Sequence, residues 1–225
     1  MLIYLYTTIY LGLQHAFEAD HLLAVSNLVT HRNNIWKSVK DGIYWGIGHT
    51  STIFFIGILM MVFKFQISMN IFGYFEGGVG VMLIILGIYR FLKLFSRKKN
   101  QEHSHTHIHT HTYSHEHSHS HFHEDSHDHS HHRAAFGVGL VHGLAGSGVL
   151  MVLVISQMKN ALDGLMYILI FGLGSIVGMF LAAFLFSIPF AKNLMKSGKF
   201  QIVLVIISSV LCIVYGGKVA MEQFF

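Results

Sequence analysis

Charged residues, proline and cysteine are all scarce in this sequence. Of its 225 residues, 12% are Asp, Glu, Lys or Arg and 52% are hydrophobic, and there is one proline. This composition is too apolar for a soluble domain, and the apolar runs are too many for a single anchor. The only cysteine, Cys212, excludes an intrachain disulfide and a cysteine pair that shuttles electrons. We therefore expect a protein that crosses the membrane several times.

The apolar residues fall into six segments, each long enough to cross a bilayer, which takes about 20 residues of helix. The predicted fold class is an all-α polytopic membrane protein with six transmembrane helices. The first apolar run lacks a basic region followed by a small-residue cleavage site, so we expect a retained span rather than a removed signal peptide. The predicted spans are roughly 3–29, 39–63, 71–95, 134–157, 163–189 and 200–221.

These spans divide the chain into a first three-helix half with the metal site (1–95), a His-rich loop (96–133) and a second three-helix half (134–225). If the chain alternates sides, and if Arg90 and Lys93 snorkel toward the loop, the side of the loop collects twelve Lys and Arg residues and the other side collects three. By the positive-inside rule, the loop is cytoplasmic and both termini are outside. Because the basic residues lie at the ends of apolar runs, we expect a lipid bilayer as partner and no nucleic acid.

The two halves resemble one another weakly. Gly12-Leu13-Gln14-His15 recurs as Gly139-Leu140-Val141-His142 at an offset of 127, Asp41-Gly42 recurs as Asp163-Gly164 at 122, and Tyr89 matches Tyr215 at 126. Halves of three spans each run in opposite directions through the membrane. Inverted repeats of this kind build transporters whose binding site lies near the midplane.

Four polar side chains interrupt the first predicted span: His15, Glu18, Asp20 and His21. An ionisable group at membrane depth costs roughly 2.5–3.5 kcal/mol on insertion scales and usually marks a pathway or a site. The central parts of the spans contain no Lys or Arg that could neutralise the two carboxylates. Imidazole together with carboxylate suits borderline divalent metal ions. A metal site is the favoured interpretation, and polar contacts between helices are the alternative.

Helical geometry constrains how these residues could meet one ion. At 100° per residue, His15, Glu18 and His21 form one stripe, whereas Asp20 faces away from them. Asp20 therefore either meets a second helix or lies where the helix is unwound, around Ala19; such breaks are tolerated where they line a cavity. We expect His15, Asp20 and His21 to be ligands, and Glu18 to be a fourth ligand, a proton acceptor or an orienting group.

Two more histidines extend the candidate site. His49 lies between small residues in the second predicted span, and such residues let helices pack closely. His142 lies in a glycine-rich part of the fourth span, and the repeat pairs it with His15 and pairs Ser147 with Asp20. We expect both histidines to join the metal site. The alternatives are a hydrogen-bonded core histidine for His49 and an incidental histidine in a packing seam for His142.

The predicted loop between the halves is rich in histidine. It holds fourteen of the nineteen histidines, mostly at alternate positions, and the residues between them are mainly polar. We expect it to be disordered and to bind metal at many weak, exchangeable sites. A solvated or pH-responsive spacer is the alternative. The candidate metal-buffering residues are His103, His105, His107, His109, His111, His115, His117, His119, His121, His123, His127, His129, His131 and His132.

Three motifs resemble a known family. Residues 15–21, His-Ala-Phe-Glu-Ala-Asp-His, resemble the first signature of the nickel/cobalt transporter superfamily, typically His-Ala-x-Asp-Ala-Asp-His, with Glu18 in place of the first Asp. Gly48-His49-Thr50 resembles the Leu-Gly-His-Ser/Thr signature of the next helix. The segment 139–148 is similar to the small six-span urease-accessory-type nickel permeases. The aspartate- and threonine-rich signatures of the larger permeases are absent.

This resemblance implies transport of nickel or cobalt. We expect uptake of Ni²⁺ or Co²⁺ across the cytoplasmic membrane, with the ion as substrate, no resident cofactor and no enzymatic activity. Cytoplasmic nickel chaperones or urease maturation proteins are the further partners it implies. An efflux permease of the same superfamily, a zinc exporter and a membrane metal-storage scaffold are the alternatives.

Overall fold

The computed structural model describes residues 2–29, 34–99, 128–145, 158, 160–190 and 198–225, and in these ranges the chain is almost entirely helical. A short 3₁₀ helix, Ile188–Phe190, follows the sixth α-helix. The α-helices are α1 (Leu2–His15), α2 (Ala19–Val29), α3 (Ile35–Met61), α4 (Met69–Lys99), α5 (Asp128–Ala145), α6 (Ala161–Ser187) and α7 (Gly198–Phe224).

Four stretches among the described residues are long and apolar enough to cross a membrane: Ile35–Met61, Met69–Leu94, Ala161–Phe190 and Lys199–Phe224. They coincide with four of the six predicted spans to within a few residues. The prediction of an all-helical, multi-pass membrane protein is confirmed. The count of six spans stays a prediction. The first predicted span falls on the shorter helices α1 and α2, and the fourth falls partly on α5 while its residues 146–157 lie outside the described part of the chain.

The first predicted span is not one continuous helix. α1 ends at His15 and α2 begins at Ala19. At the break, the backbone N–H groups of Phe17 and Glu18 donate to the carbonyls three residues earlier, at 2.9 and 3.1 Å. These bonds tighten the end of α1 and change the direction in which the following residues point. Both arrangements that the sequence allowed for Asp20 occur: the helix is interrupted just before Ala19, and Asp20 meets His142 of a second helix, α5.

The predicted loop 96–133 stays a prediction, but helices enter it from both sides: α4 continues to Lys99 and α5 begins at Asp128. Contacts with α3 explain the early start of α5. The His132 Nδ1–H lies 2.7 Å from the Asp41 carboxylate, and the His132 ring stacks on Tyr44 with centroids 4.9 Å apart. The loop histidines from His103 to His127 lie outside the described residues, as does the side chain of His129.

Small residues bring the helices of the two halves into direct backbone contact. A side chain on Gly48 of α3 would collide with the carbonyl of Phe136 in α5, and one on Gly174 of α6 would collide with the carbonyl of Ile9 in α1. Thr50 donates its hydroxyl to the Gly172 carbonyl at 3.3 Å, which joins α3 to α6. Close packing of this kind is typical of helices in lipid. It encloses the centre of the bundle, where the polar residues lie.

Candidate metal centre

Four histidines from four helices meet at the centre of the bundle. His21, His49 and His142 are fully buried, and the His15 side chain is 11% exposed. The His21 ring touches the other three, with centroid distances of 4.6 Å to His15, 5.1 Å to His49 and 4.5 Å to His142. The structure thus brings together all four imidazoles that were selected from the sequence.

Asp20 joins the two halves of the chain. It lies in the first turn of α2, where a negative charge is favoured by the helix dipole. Its Oδ1 is 3.0 Å from His21 Nδ1 and its Oδ2 is 3.1 Å from His142 Nε2. An ionised carboxylate can only accept hydrogen bonds, so both ring nitrogens donate their protons to Asp20. The other nitrogen of each ring therefore carries a lone pair.

Those lone-pair nitrogens have no hydrogen-bond partner. The buried imidazole nitrogens without one are His15 Nε2, His21 Nε2, His142 Nδ1 and both ring nitrogens of His49. A buried polar atom left unsatisfied costs about 1–3 kcal/mol, and a neutral imidazole has one lone-pair nitrogen, so one nitrogen of each of the four rings is free to bind a ligand. Neutral imidazole nitrogen is a common ligand of transition metals. The donor set therefore fits a divalent cation.

The ligand atoms form two adjacent groups that share His21. One group is His15, His21 and His49, and the other is Asp20, His21 and His142. Within each group the ligand atoms lie within 4.8 Å of one another. A small contraction would bring either group to metal-ligand distances, which for imidazole nitrogen and zinc are about 2.0–2.1 Å. The centre could thus hold one ion in more than one position.

Glu18 lies at the edge of this centre. Its Oε1 is 3.0 Å from His15 Nδ1, and its side chain is 57% exposed. The contact leaves His15 Nε2 free of hydrogen bonds and directed inward. Among the three roles expected for Glu18, this geometry favours the orienting one, as metal-bound histidines usually donate their second N–H to such a partner.

Two aromatic residues that the sequence reading missed enclose the imidazoles. The Trp45 ring is fully buried, 5.5 Å from His21 and 5.6 Å from His142 between centroids. The Phe171 ring lies 5.4 Å from His15. Both rings are buried and pack against the imidazoles. Trp45 could have been found, because it lies four residues before His49 and thus on the same helical face.

Comparison with known proteins identifies the family of the chain. The family described as the cytochrome c biogenesis protein transmembrane region matches residues 7–218. The urease accessory protein UreH of Bacillus sp. (strain TB-90) is 35% identical over 186 residues, which is 83% of this chain and 77% of the relative. The chain belongs to the nickel permease family. That confirms the family indicated by the sequence motifs.

A second permease is similar over a shorter stretch. The nickel transporter NixA of Staphylococcus aureus (strain NCTC 8325 / PS 47) is 32% identical over 98 residues, 38% of this chain and 28% of that protein. No solved structure matches the chain significantly. In this permease Cys212 is fully buried and is the only cysteine, so an intrachain cysteine pair that carries electrons cannot form.

Proposed function

We propose that this chain carries a divalent nickel or cobalt ion across the membrane through the centre formed by His15, Asp20, His21, His49 and His142. The observation that carries the proposal is the set of five buried imidazole nitrogens without hydrogen-bond partners. A bound cation would accept the lone pair of one nitrogen from each ring, and the Asp20 carboxylate would balance part of its charge. Binding then offsets the free energy lost when the ion sheds water.

The donor set also supports the choice of metal. Imidazoles and one carboxylate favour nickel, cobalt, copper or zinc over magnesium and calcium, which prefer oxygen ligands. Within that group, the names of the relatives, a nickel transporter and a urease accessory protein, support nickel. The ion is the cargo and passes through the centre without staying there.

For the architecture, we propose six membrane-crossing segments arranged as two inverted repeats. Contacts that recur between the halves support it. Gly12 packs on the backbone of Phe171, and Gly139 packs on the backbone of Trp45. The members of these pairs are related by offsets of 127 and 126. A site between inverted repeats can open to either side by rocking of one half against the other.

We propose import as the direction. With the His-rich loop cytoplasmic and both termini outside, a potential of 100 mV, negative inside, would contribute about 4.6 kcal/mol to a divalent ion crossing inward. The loop histidines would hold arriving ions until cytoplasmic nickel chaperones or urease maturation proteins take them. Efflux by the same centre is the second candidate, because a loop of this composition could also collect ions for export.

Nickel flux into proteoliposomes of known orientation, at a fixed membrane potential, tests the proposal. The native chain should carry nickel, and His15→Ala and Asp20→Asn should abolish the flux. Glu222→Gln is the control, because Glu222 is exposed near the end of α7 and should leave flux unchanged. A native chain that moves no nickel, cobalt or zinc at either polarity would contradict transport. Flux that needs the opposite polarity would assign efflux.

A further inference from the structure

A cavity of about 360 Å³ adjoins the metal centre between α2, α4 and α7. Asp20 forms part of its wall, so one carboxylate faces both the cavity and the buried imidazoles. At about 30 Å³ per water molecule, the cavity has room for roughly ten waters. That is enough for a divalent cation with its first hydration shell.

Three carboxylates line this cavity: Asp20, Glu18 and Glu76. The rest of the described lining is Tyr215 and small or aliphatic residues, without a Lys or Arg. Carboxylates that face a cavity with low-dielectric walls concentrate cations in it. The cavity is therefore suited to a positively charged solute.

Of the three carboxylates that line the cavity, Glu76 has the least expected position. It lies in the apolar stretch Met69–Leu94 of α4, where an ionisable side chain is costly. Its Oε2 accepts a hydrogen bond from Gln223 Nε2 at 2.8 Å. This contact with a neutral amide fixes the carboxylate without cancelling its charge. A purely structural contact between α4 and α7 would not require an acid at this position.

A neighbouring cavity shows the contrast. It is slightly larger, about 400 Å³, and shares Ala19 and Tyr215 with the first, but its other lining residues are four aliphatic side chains and Lys218. A cavity of that kind suits lipid chains and repels cations. The two cavities are similar in size but differ in charge, and of the two only the acidic one is lined by Asp20.

We infer that the acidic cavity is the aqueous route by which a hydrated divalent cation reaches the metal centre, and that Glu76 is a cation-positioning residue at its far end. This inference rests on the proposed transport function. Glu76 lies near the beginning of α4, and Gln223 lies near the end of α7. In the proposed orientation both ends are outside, so the route opens to the outer face, as an importer requires.

The kinetic test compares Glu76→Gln with Glu76→Asp in the flux assay. Loss of the carboxylate should raise KM for nickel by about tenfold, the lower end of what local cation concentration contributes, with kcat changed less than twofold. Glu76→Asp keeps the carboxylate and should have a KM for nickel close to that of the native chain. The matched control is Glu222→Gln, which removes a carboxylate outside the cavity on α7. An unchanged KM in Glu76→Gln would overturn the role of Glu76.

An accessibility test does not depend on transport. In a Cys212→Ser background, Val219→Cys places a thiol on the cavity wall, whereas Val210→Cys places one on an exposed face of α7 outside it. A charged, membrane-impermeant thiol reagent applied from outside should modify the first variant and not the second, and nickel should slow the reaction. Equal labelling of both, or labelling of neither, would overturn an aqueous route even if the native chain carries nickel.

Discussion

The two halves of the chain share a packing pattern but not a set of ligands. His15 meets the Phe171 ring at 5.4 Å, and His142, its counterpart in the second half, meets the Trp45 ring at 5.6 Å. At the same offsets, however, Asp20 corresponds to Ser147 and His49 corresponds to Ser175. Among the described residues, which exclude 146–157, the first half contributes three imidazoles and the Asp20 carboxylate to the centre, and the second half contributes the imidazole of His142.

If the halves are inverted repeats, as proposed, this difference would let two similar sets of helices hold a single site. Two complete ligand sets facing each other would place two buried carboxylates side by side, and like charges in a low-dielectric interior repel strongly. With one set, Asp20 bridges an imidazole from each half. Similar helix packing thus recurs in both halves, whereas most of the described polar side chains of the centre belong to the first half.

The largest expected effect comes from breaking the shared packing. Gly48→Leu and Gly174→Leu each force a side chain into the backbone of a neighbouring helix, at Phe136 and Ile9 respectively. Overpacking typically costs about 1–3 kcal/mol, and here the obstacle is backbone, which cannot turn away. Both variants should lose most of their folded protein, measured as monodisperse material after detergent extraction.

Glycines in open space provide the control for this prediction. A Cβ atom added to Gly137 or Gly217 would have no neighbour within 4 Å among the described residues. Gly137→Leu and Gly217→Leu should therefore extract like the native chain. If only Gly48→Leu failed while Gly174→Leu folded normally, the packing would not be shared between the halves.

The second-largest expected effect distinguishes a residue that binds the metal from one that only packs between helices. His49→Ala removes an imidazole with two unpartnered nitrogens, and nickel affinity should fall by at least about 100-fold, the upper end of the loss for outer-shell groups. Ser175→Ala, at the corresponding position of the second half, should leave affinity unchanged. Calorimetric titration measures the nickel affinity of the two variants. Residues 101–127 are deleted in both so that the loop histidines do not compete for the metal. Equal losses in the two variants would assign ligands to both halves.

The smallest effect concerns the orienting carboxylate. Glu18→Ala removes the 3.0 Å contact between Glu18 Oε1 and His15 Nδ1 that orients the His15 ring. His15 Nε2 remains available to bind the metal. Affinity should fall by about tenfold, the lower range for such groups, and the same titration measures it. A loss as large as that of His15→Ala would instead show that Glu18 binds the metal directly.

Much of the helical architecture and the choice of histidines could be predicted from the sequence. Long apolar runs predicted the four helices that are long enough to cross a membrane, because burial in lipid leaves little alternative to a helix. The polar residues of the first span and the Gly-x-x-His repeat predicted which imidazoles the structure brings together. Metal binding by these residues stays a prediction, as does buffering by the loop.

Other features depend on tertiary contacts that a linear pattern does not show. The break between His15 and Ala19 redirects Asp20 toward His142, which lies 122 positions away. The start of α5 at Asp128 depends on the contact of His132 with Asp41. Glu76 lies near the start of its span, where an acid looks like an interfacial residue until the cavity beside it is known.

The most direct test of the account is the coordination of nickel bound to the chain without residues 101–127, measured by X-ray absorption. The account predicts one nickel per chain with several imidazole ligands, and one imidazole fewer in His142→Ala, since both halves contribute to one ion. Nickel bound by oxygen ligands alone, or no stoichiometric binding once the loop is removed, would contradict a metal centre inside the helical bundle.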